Sequence, residues 1–180
     1  SVLPRHFVLY GGTALALRLG HRQSVDFDFF SSHPFDSEQL KKWAPLADEG
    51  EVIQEEKNTV TIRVQTSAPI KISFFGGLTF GRVGPPDETS DGVRMASLDD
   101  LFATKLHVIY QRTESKDYLD VDAILKAGLS LEHGLGCAKA VYGPTYNCML
   151  PQKALACFEG GDLPQLPEDL KSGFSKTTFC

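Results

Sequence analysis

The fold of this chain turns on one stretch near its start: Tyr10-Gly11-Gly12-Thr13-Ala14-Leu15-Ala16-Leu17-Arg18-Leu19, then Ser24-Val25-Asp26-Phe27-Asp28-Phe29-Phe30. Residues 6–10 read as a short strand that runs straight into the two glycines. Residues 13–19 are good helix formers, and Gly20 is a plausible stop. Residues 24–30 then alternate, so Val25, Phe27 and Phe29 point one way and Asp26 and Asp28 the other. On a strand, two such carboxylates lie roughly 7 Å apart on one face. They repel each other unless a cation neutralises both, and a hard ion such as Mg²⁺ takes oxygen ligands and brings phosphates with it. The polar side of an edge strand would give the same alternation without chemistry. Gly11 and Gly12 let the backbone approach an anion closely. The helix behind them offers free N–H groups and a positive dipole end, and Thr13 adds a hydroxyl donor. An ordinary tight turn reads the same way. The combination is more telling, because it sets a phosphate-binding turn beside paired carboxylates.

Working outward, a helix is expected from Asp36 or Ser37 to Trp43, capped by one of those two residues. Residues 51–56 form a weaker strand candidate, while 59–65 and 69–75 alternate cleanly. In the last of these Ile70, Ile72 and Phe74 face the core, so Lys71 and Ser73 face the same side as the two aspartates. Residues 76–92 read as a loop with a short strand at 78–82. From Ser97 the pattern is helical: to about Arg112 with Ser97 and Asp100 as a capping-box-like start, then 115–126, 131–142 and 152–158. The stretch after Gly160 reads as a tail rich in Gly, Pro and Ser. A mixed sheet followed by helices is an α+β fold.

Composition narrows the function classes. Hydrophobic residues at 42% and charged residues at 23% describe a folded domain rather than a disordered chain. The apolar runs are too short to span a bilayer, so no membrane is expected. No basic, apolar leader opens the chain, which makes the cytoplasm the default location. A net charge of −5 argues against coating duplex DNA by electrostatics alone, although Lys105, His107, Arg112 and Lys116 fall close together. The cysteines, Cys137, Cys148, Cys157 and Cys180, show no CxxC spacing, so a zinc site or disulfide framework is not expected. His6, His21, His33, His107 and His133 show no ligand spacing with cysteines or carboxylates.

The two motif blocks, Gly11-Gly12-Thr13 with Ser24 to Phe30, and Leu98-Asp99-Asp100-Leu101 with Lys105, Arg112, Lys116-Asp117 and Asp120, resemble polymerase-β-like nucleotidyltransferases. More narrowly they resemble the AbiEii/AbiGii toxin family, over roughly residues 6–126. That resemblance implies a polymerase-β-like nucleotidyltransferase mixed sheet with flanking helices over residues 1–95. A helical C-terminal cap over 96–158, packed on the core, and the tail at 159–180 would follow. It implies that Asp26 and Asp28 bind Mg²⁺ and that Gly12 and Thr13 hold the triphosphate, beside Gly11; Ser24, just before the DxD strand, would bond a phosphate or serve its own turn. Lys105 would reach nucleotide phosphates, with Asp117 beside the site orienting Lys105 or a substrate group. Arg112 and Lys116 would steady phosphates or pair with the helical carboxylates, and Lys71 and Ser73 would line the site. Read without the resemblance, Lys105, Arg112 and Lys116 are an exposed helix face with local ion pairs.

The implied activity is Mg²⁺-dependent transfer of a nucleoside monophosphate from an NTP to a hydroxyl on an RNA end or a protein. The implied setting is a toxin–antitoxin or phage-defence system with a cognate antitoxin as partner. One position departs from the pattern: such enzymes carry a third carboxylate on a later strand, and here Ser73 stands in its place. A catalytically impaired nucleotide-binding or protein-interaction domain is therefore the second expectation, and metal-assisted phosphoester hydrolysis the third.

Overall fold

The computed structural model describes residues 3–44, 50–66 and 68–178; Cys180 lies outside them. The described strands are β1 (Val8–Tyr10), β2 (Asp26–Phe30), β3 (Glu51–Glu56), β4 (Thr59–Val64), β5 (Ile70–Phe75), β6 (Asp87–Glu88) and β7 (Arg94–Met95). They form one mixed sheet in the order β3-β4-β5-β2-β1-β7-β6. β1 and β2 run antiparallel, as do β3 with β4, β4 with β5, and β6 with β7; β2 with β5 and β1 with β7 run parallel.

The sheet forms because its middle strands are apolar on the face they bury. Leu9, Phe29, Phe74, Val60 and Ile62 are all buried, and the Phe29 and Phe74 rings stack at 5.4 Å. β3 is exposed along its whole length. It holds the edge by pairing with β4 and carries the charged side chains that discourage further pairing. Among the described residues of the sheet unit are two helices, α1 (Gly11–Leu19) and α2 (Ser37–Trp43). Asp36 caps α2 through a capping box with Gln39, as expected. Arg18 in the last turn of α1 donates to the Ala96 carbonyl at 2.9 Å, tying the helix to the end of β7.

The remaining elements are α3 (Leu98–Val108), α4 (Ser115–Lys126), α5 (Leu131–Tyr142), α6 (Met149–Leu155), a 3-10 turn (Leu163–Gln165) and α7 (Glu168–Thr178). By contacts the chain falls into two units, Ser1–Thr79 with Pro85–Ser97, and Phe80–Gly84 with Leu98–Cys180. Residues 78–82 form no strand. The Gly81 N–H instead donates to the Val141 carbonyl at 2.7 Å, and the Asp100 carboxylate accepts from the Val83 N–H at 2.7 Å. The segment is used as irregular chain laid on helices. The stretch read as a tail forms the 3-10 turn and α7, whose Leu170 and Phe174 are buried. Among the described residues no helix is long and apolar enough to cross a membrane.

Candidate functional site

In the sheet unit β1 passes directly into α1, with Tyr10 ending one and Gly11 beginning the other. Tyr10 makes no side-chain cap, so the first-turn N–H groups are left to other partners, with the positive end of the helix dipole behind them. Gly11 has φ +74°, a left-handed conformation that favours glycine, and a β-carbon there would stand 2.8 Å from Asp28 Oδ2. The glycine thus lets the Asp28 carboxylate come up against the head of α1. At Gly12 a β-carbon would lie 2.2 Å from Arg22 Nη2. The Arg22 guanidinium therefore lies over Gly12, while its Nη1 donates to the Gln23 carbonyl at 3.0 Å.

Arg22 thus lies beside the candidate site, although the sequence reading does not name it; a single arginine in the loop between helix and DxD strand is a weak signal, since loop arginines are common. Thr13 behaves differently from expectation. It is buried, and its hydroxyl bonds to the Ser24 hydroxyl at 2.9 Å and to the Asp26 carbonyl. That hydroxyl fastens α1 to the start of β2.

The strand register orders the rest. Asp26 stands beside Lys71 and Asp28 beside Ser73 on the parallel pair β2–β5, and Ser73 stands beside Thr61 on β4. One row across the face is charged: Asp26, Lys71, Arg63 and Glu51, with Lys71 Nζ 3.7 Å from Asp26 Oδ2 and Arg63 Nη1 3.0 Å from Glu51 Oε2. The neighbouring row is Asp28, Ser73 and Thr61, whose two hydroxyl residues are only 3% and 4% exposed. A carboxylate at Ser73 would be buried beside Asp28, a costly arrangement without a cation. The donor set fits a hard divalent ion: Asp26 and Asp28 supply carboxylate oxygens on one face, and Asp26 is 42% exposed at its side chain.

The helical unit carries the other predicted residues. Lys105 on α3 and Asp117 and Asp120 on α4 form a buried ion cluster, with Lys105 Nζ 2.8 Å from Asp117 Oδ1 and 2.6 Å from Asp120 Oδ2. Their side chains are 5%, 0% and 0% exposed. Arg112 completes the cluster with two bonds to Asp117, from Nε to Oδ2 at 2.7 Å and from Nη2 to Oδ1 at 3.0 Å. Burial works to raise the Asp117 pKa, but the Arg112 hydrogen bond and the Lys105 charge and hydrogen bond outweigh it. The Asp117 carboxyl is thereby held below its ordinary range.

Lys105, expected to reach phosphates, is thus enclosed between two carboxylates. Arg112 and Lys116 keep about half of their side chains in solvent, and Glu114 draws both, at 3.5 and 2.9 Å. A cleft of about 350 Å³ in this unit is lined by Arg112, Thr113, Tyr118, Lys153, Cys157 and Glu159, among others. His107 is tied down by stacking on Tyr142 at 3.9 Å and by a bond with the Tyr110 hydroxyl, and burial lowers its pKa. It serves packing.

A turn of glycines at a helix head against a DxD strand, in a mixed sheet, together with a lysine and paired aspartates on two successive helices, defines the nucleotidyltransferase class. The chain belongs to the AbiEii family, described as the nucleotidyl transferase AbiEii toxin of type IV toxin–antitoxin systems, whose model matches residues 1–174. It is similar to MenT4, a nucleotidyltransferase toxin of Mycobacterium tuberculosis H37Rv (14% identity, TM-score 0.62, 99% of this chain and 76% of that one). It is also similar to JHP933 of Helicobacter pylori (17% identity, TM-score 0.54, 95% and 86%). At such identities the likeness concerns the fold. An uncharacterized Aquifex aeolicus (strain VF5) protein, aq_aa25, is 34% identical over 118 residues, 64% of this chain. The match spans only 55% of that relative's length.

Proposed function

We propose that this chain transfers a nucleoside monophosphate from an NTP to a hydroxyl acceptor on an RNA end or a protein, as the toxin of a toxin–antitoxin pair. The observation that carries the reading is the Asp28 carboxylate held against Gly11 at the head of α1, with Asp26 on the same face of β2. Asp26 and Asp28 would hold Mg²⁺, which would supply charge neutralisation for a transferring phosphoryl group.

The chain's own residues supply the rest. The first-turn N–H groups at Gly11, Gly12 and Thr13 cradle phosphate oxygens, and Ser24 steadies that turn through Thr13. Arg22 and Lys71 add positive charge beside it. In the helical unit Arg112 and Lys116 carry half-exposed cationic ends, while Lys105 positions Asp117 and Asp120 from inside the cluster. Asp117 is a poor proton acceptor, because it is fully buried, held below its ordinary pKa, and accepts from both Arg112 and Lys105. With Ser73 in place of a third carboxylate, the acceptor hydroxyl loses its proton to solvent. The absence of a general base costs about 10²–10⁴ in rate.

That same serine favours a second reading, a domain that binds nucleotide without efficient transfer and serves an antitoxin as its protein partner. Calorimetric titration of each NTP with Mg²⁺, on wild type and Asp26→Ala/Asp28→Ala, tests both. Metal-dependent binding lost in the double variant supports the site. Labelled-NTP transfer to RNA or protein then separates the transferase from the binding domain. No binding to any NTP overturns both.

A further inference from the structure

Outside these residues the helical unit brings together three side chains of different chemistry. His133 and Cys137 are four residues apart on α5, hence on one face one turn apart. The Ser130 hydroxyl caps that helix by accepting from the His133 N–H at 3.1 Å, which fixes its first turn. Asp99 lies in the first turn of α3. What brings the two helices close is Gly134, where a β-carbon would stand 2.4 Å from the Phe102 ring. Cys137 packs beside Ala103, Ala138 and Val141, with its sulfur on the side of His133.

His133 Nε2 is 2.8 Å from Asp99 Oδ1 and 3.4 Å from Cys137 Sγ, and the three ligand atoms all lie within 4.8 Å of one another. Both neighbours meet the same ring nitrogen. A nucleophilic relay is therefore excluded, since it needs the carboxylate on one nitrogen and the thiol on the other. Convergence of O, N and S on one point is instead the arrangement of a metal centre. Around a tetrahedral zinc, bonds of about 2.0–2.3 Å set ligand atoms roughly 3.3–3.6 Å apart. The His133–Cys137 pair already has that spacing, the His133–Asp99 pair would open by about half an ångström, and Asp99 and Cys137, within 4.8 Å, would settle to the same range.

We propose that Asp99, His133 and Cys137 form a site for a borderline divalent cation of the zinc class, fastening the start of α3 to α5. A mixed N, S and O donor set selects Zn²⁺ over Mg²⁺. His133 is half-exposed, which leaves a fourth position open to water. Binding converts the Cys137 thiol to thiolate, and its proton passes to solvent. The cation is then opposed by two negative ligands.

The competing account is a surface ion pair beside a buried thiol, and cobalt distinguishes them. The full chain is titrated with Co²⁺ as a spectroscopic probe and with Zn²⁺, in wild type, Cys137→Ser and His133→Ala. The expected result is one equivalent whose binding carries a near-ultraviolet thiolate-to-cobalt charge-transfer band, beside any cation taken by Asp26 and Asp28, and a Zn²⁺-dependent rise in Tm that shrinks in Cys137→Ser. The band is lost in Cys137→Ser, and tight binding is lost in His133→Ala, whose exposed site leaves folding intact. No band in the wild type overturns the proposal, as does a band that survives Cys137→Ser. Circular dichroism of each variant without metal shows that loss of binding is not loss of fold. None of these readouts depends on nucleotide, so the outcome is independent of the transferase reading.

Discussion

Lys105 shows how far apart a residue's sequence and its environment can be. Read alone it is one cation on a polar helix face, yet its ammonium lies between Asp117 and Asp120 with 5% exposure. Removing one partner of a buried pair leaves an uncompensated charge and costs about 3–5 kcal/mol. Asp117→Asn is accordingly expected to destabilise by that order in urea unfolding at neutral pH. The pH dependence has a definite sign. Asp117 titrates lower in the folded chain than its ordinary value of 3.8. Its contribution is therefore complete above that value and is lost as pH falls through the depressed folded pKa. Wild type loses stability over that acid window, and Asp117→Asn lacks this component; equal acid limbs in the two proteins would contradict the assignment. The Asp26 and Asp28 pair, by contrast, was legible directly, because period-two alternation assigns neighbouring residues to opposite faces whatever the fold around them.

At the scale of elements, local pattern succeeded where capping and periodicity are self-contained. α2 carries its capping box, and α5 covers Leu131–Tyr142 as read. It failed where partners decide. Residues 78–82 have strand composition but give the Gly81 N–H to α5, while β6 forms inside the stretch read as loop and β7 from a segment assigned to no element. The final stretch looked irregular because Gly160, Gly161, Pro164 and Pro167 break it up, and the apolar spacing of Leu163, Leu166, Leu170 and Phe174 is easily overlooked. Phe174 is 2% exposed and meets Tyr118 edge-on, with ring centroids 6.1 Å apart. Phe174→Ala should cost about 3–5 kcal/mol by thermal or denaturant unfolding. A change below 1 kcal/mol would mean that α7 is not part of this unit's core.

For the whole molecule, ligand binding and stability are linked. A Mg²⁺–NTP complex that binds only the folded chain, at a hundred times its Kd, stabilises by about 2.7 kcal/mol. A Tm rise of several degrees is expected for wild type and none for Asp26→Ala/Asp28→Ala; equal shifts in both would locate binding elsewhere.

By itself the sequence determined the α+β class, the family, and the aspartate pair behind the Gly-Gly turn. Each of these is a property of contiguous residues, periodicity or motif order, and survives without coordinates. The tertiary structure alone decided that Arg22 lies on Gly12, that the Thr13 hydroxyl is spent on β2, and that Lys105 is enclosed. It also decided that Asp99 meets His133 and Cys137 across two helices. These pairings join residues distant in the chain, or turn on which way a side chain leaves its backbone. Burial and close packing select them, and no local spacing encodes either.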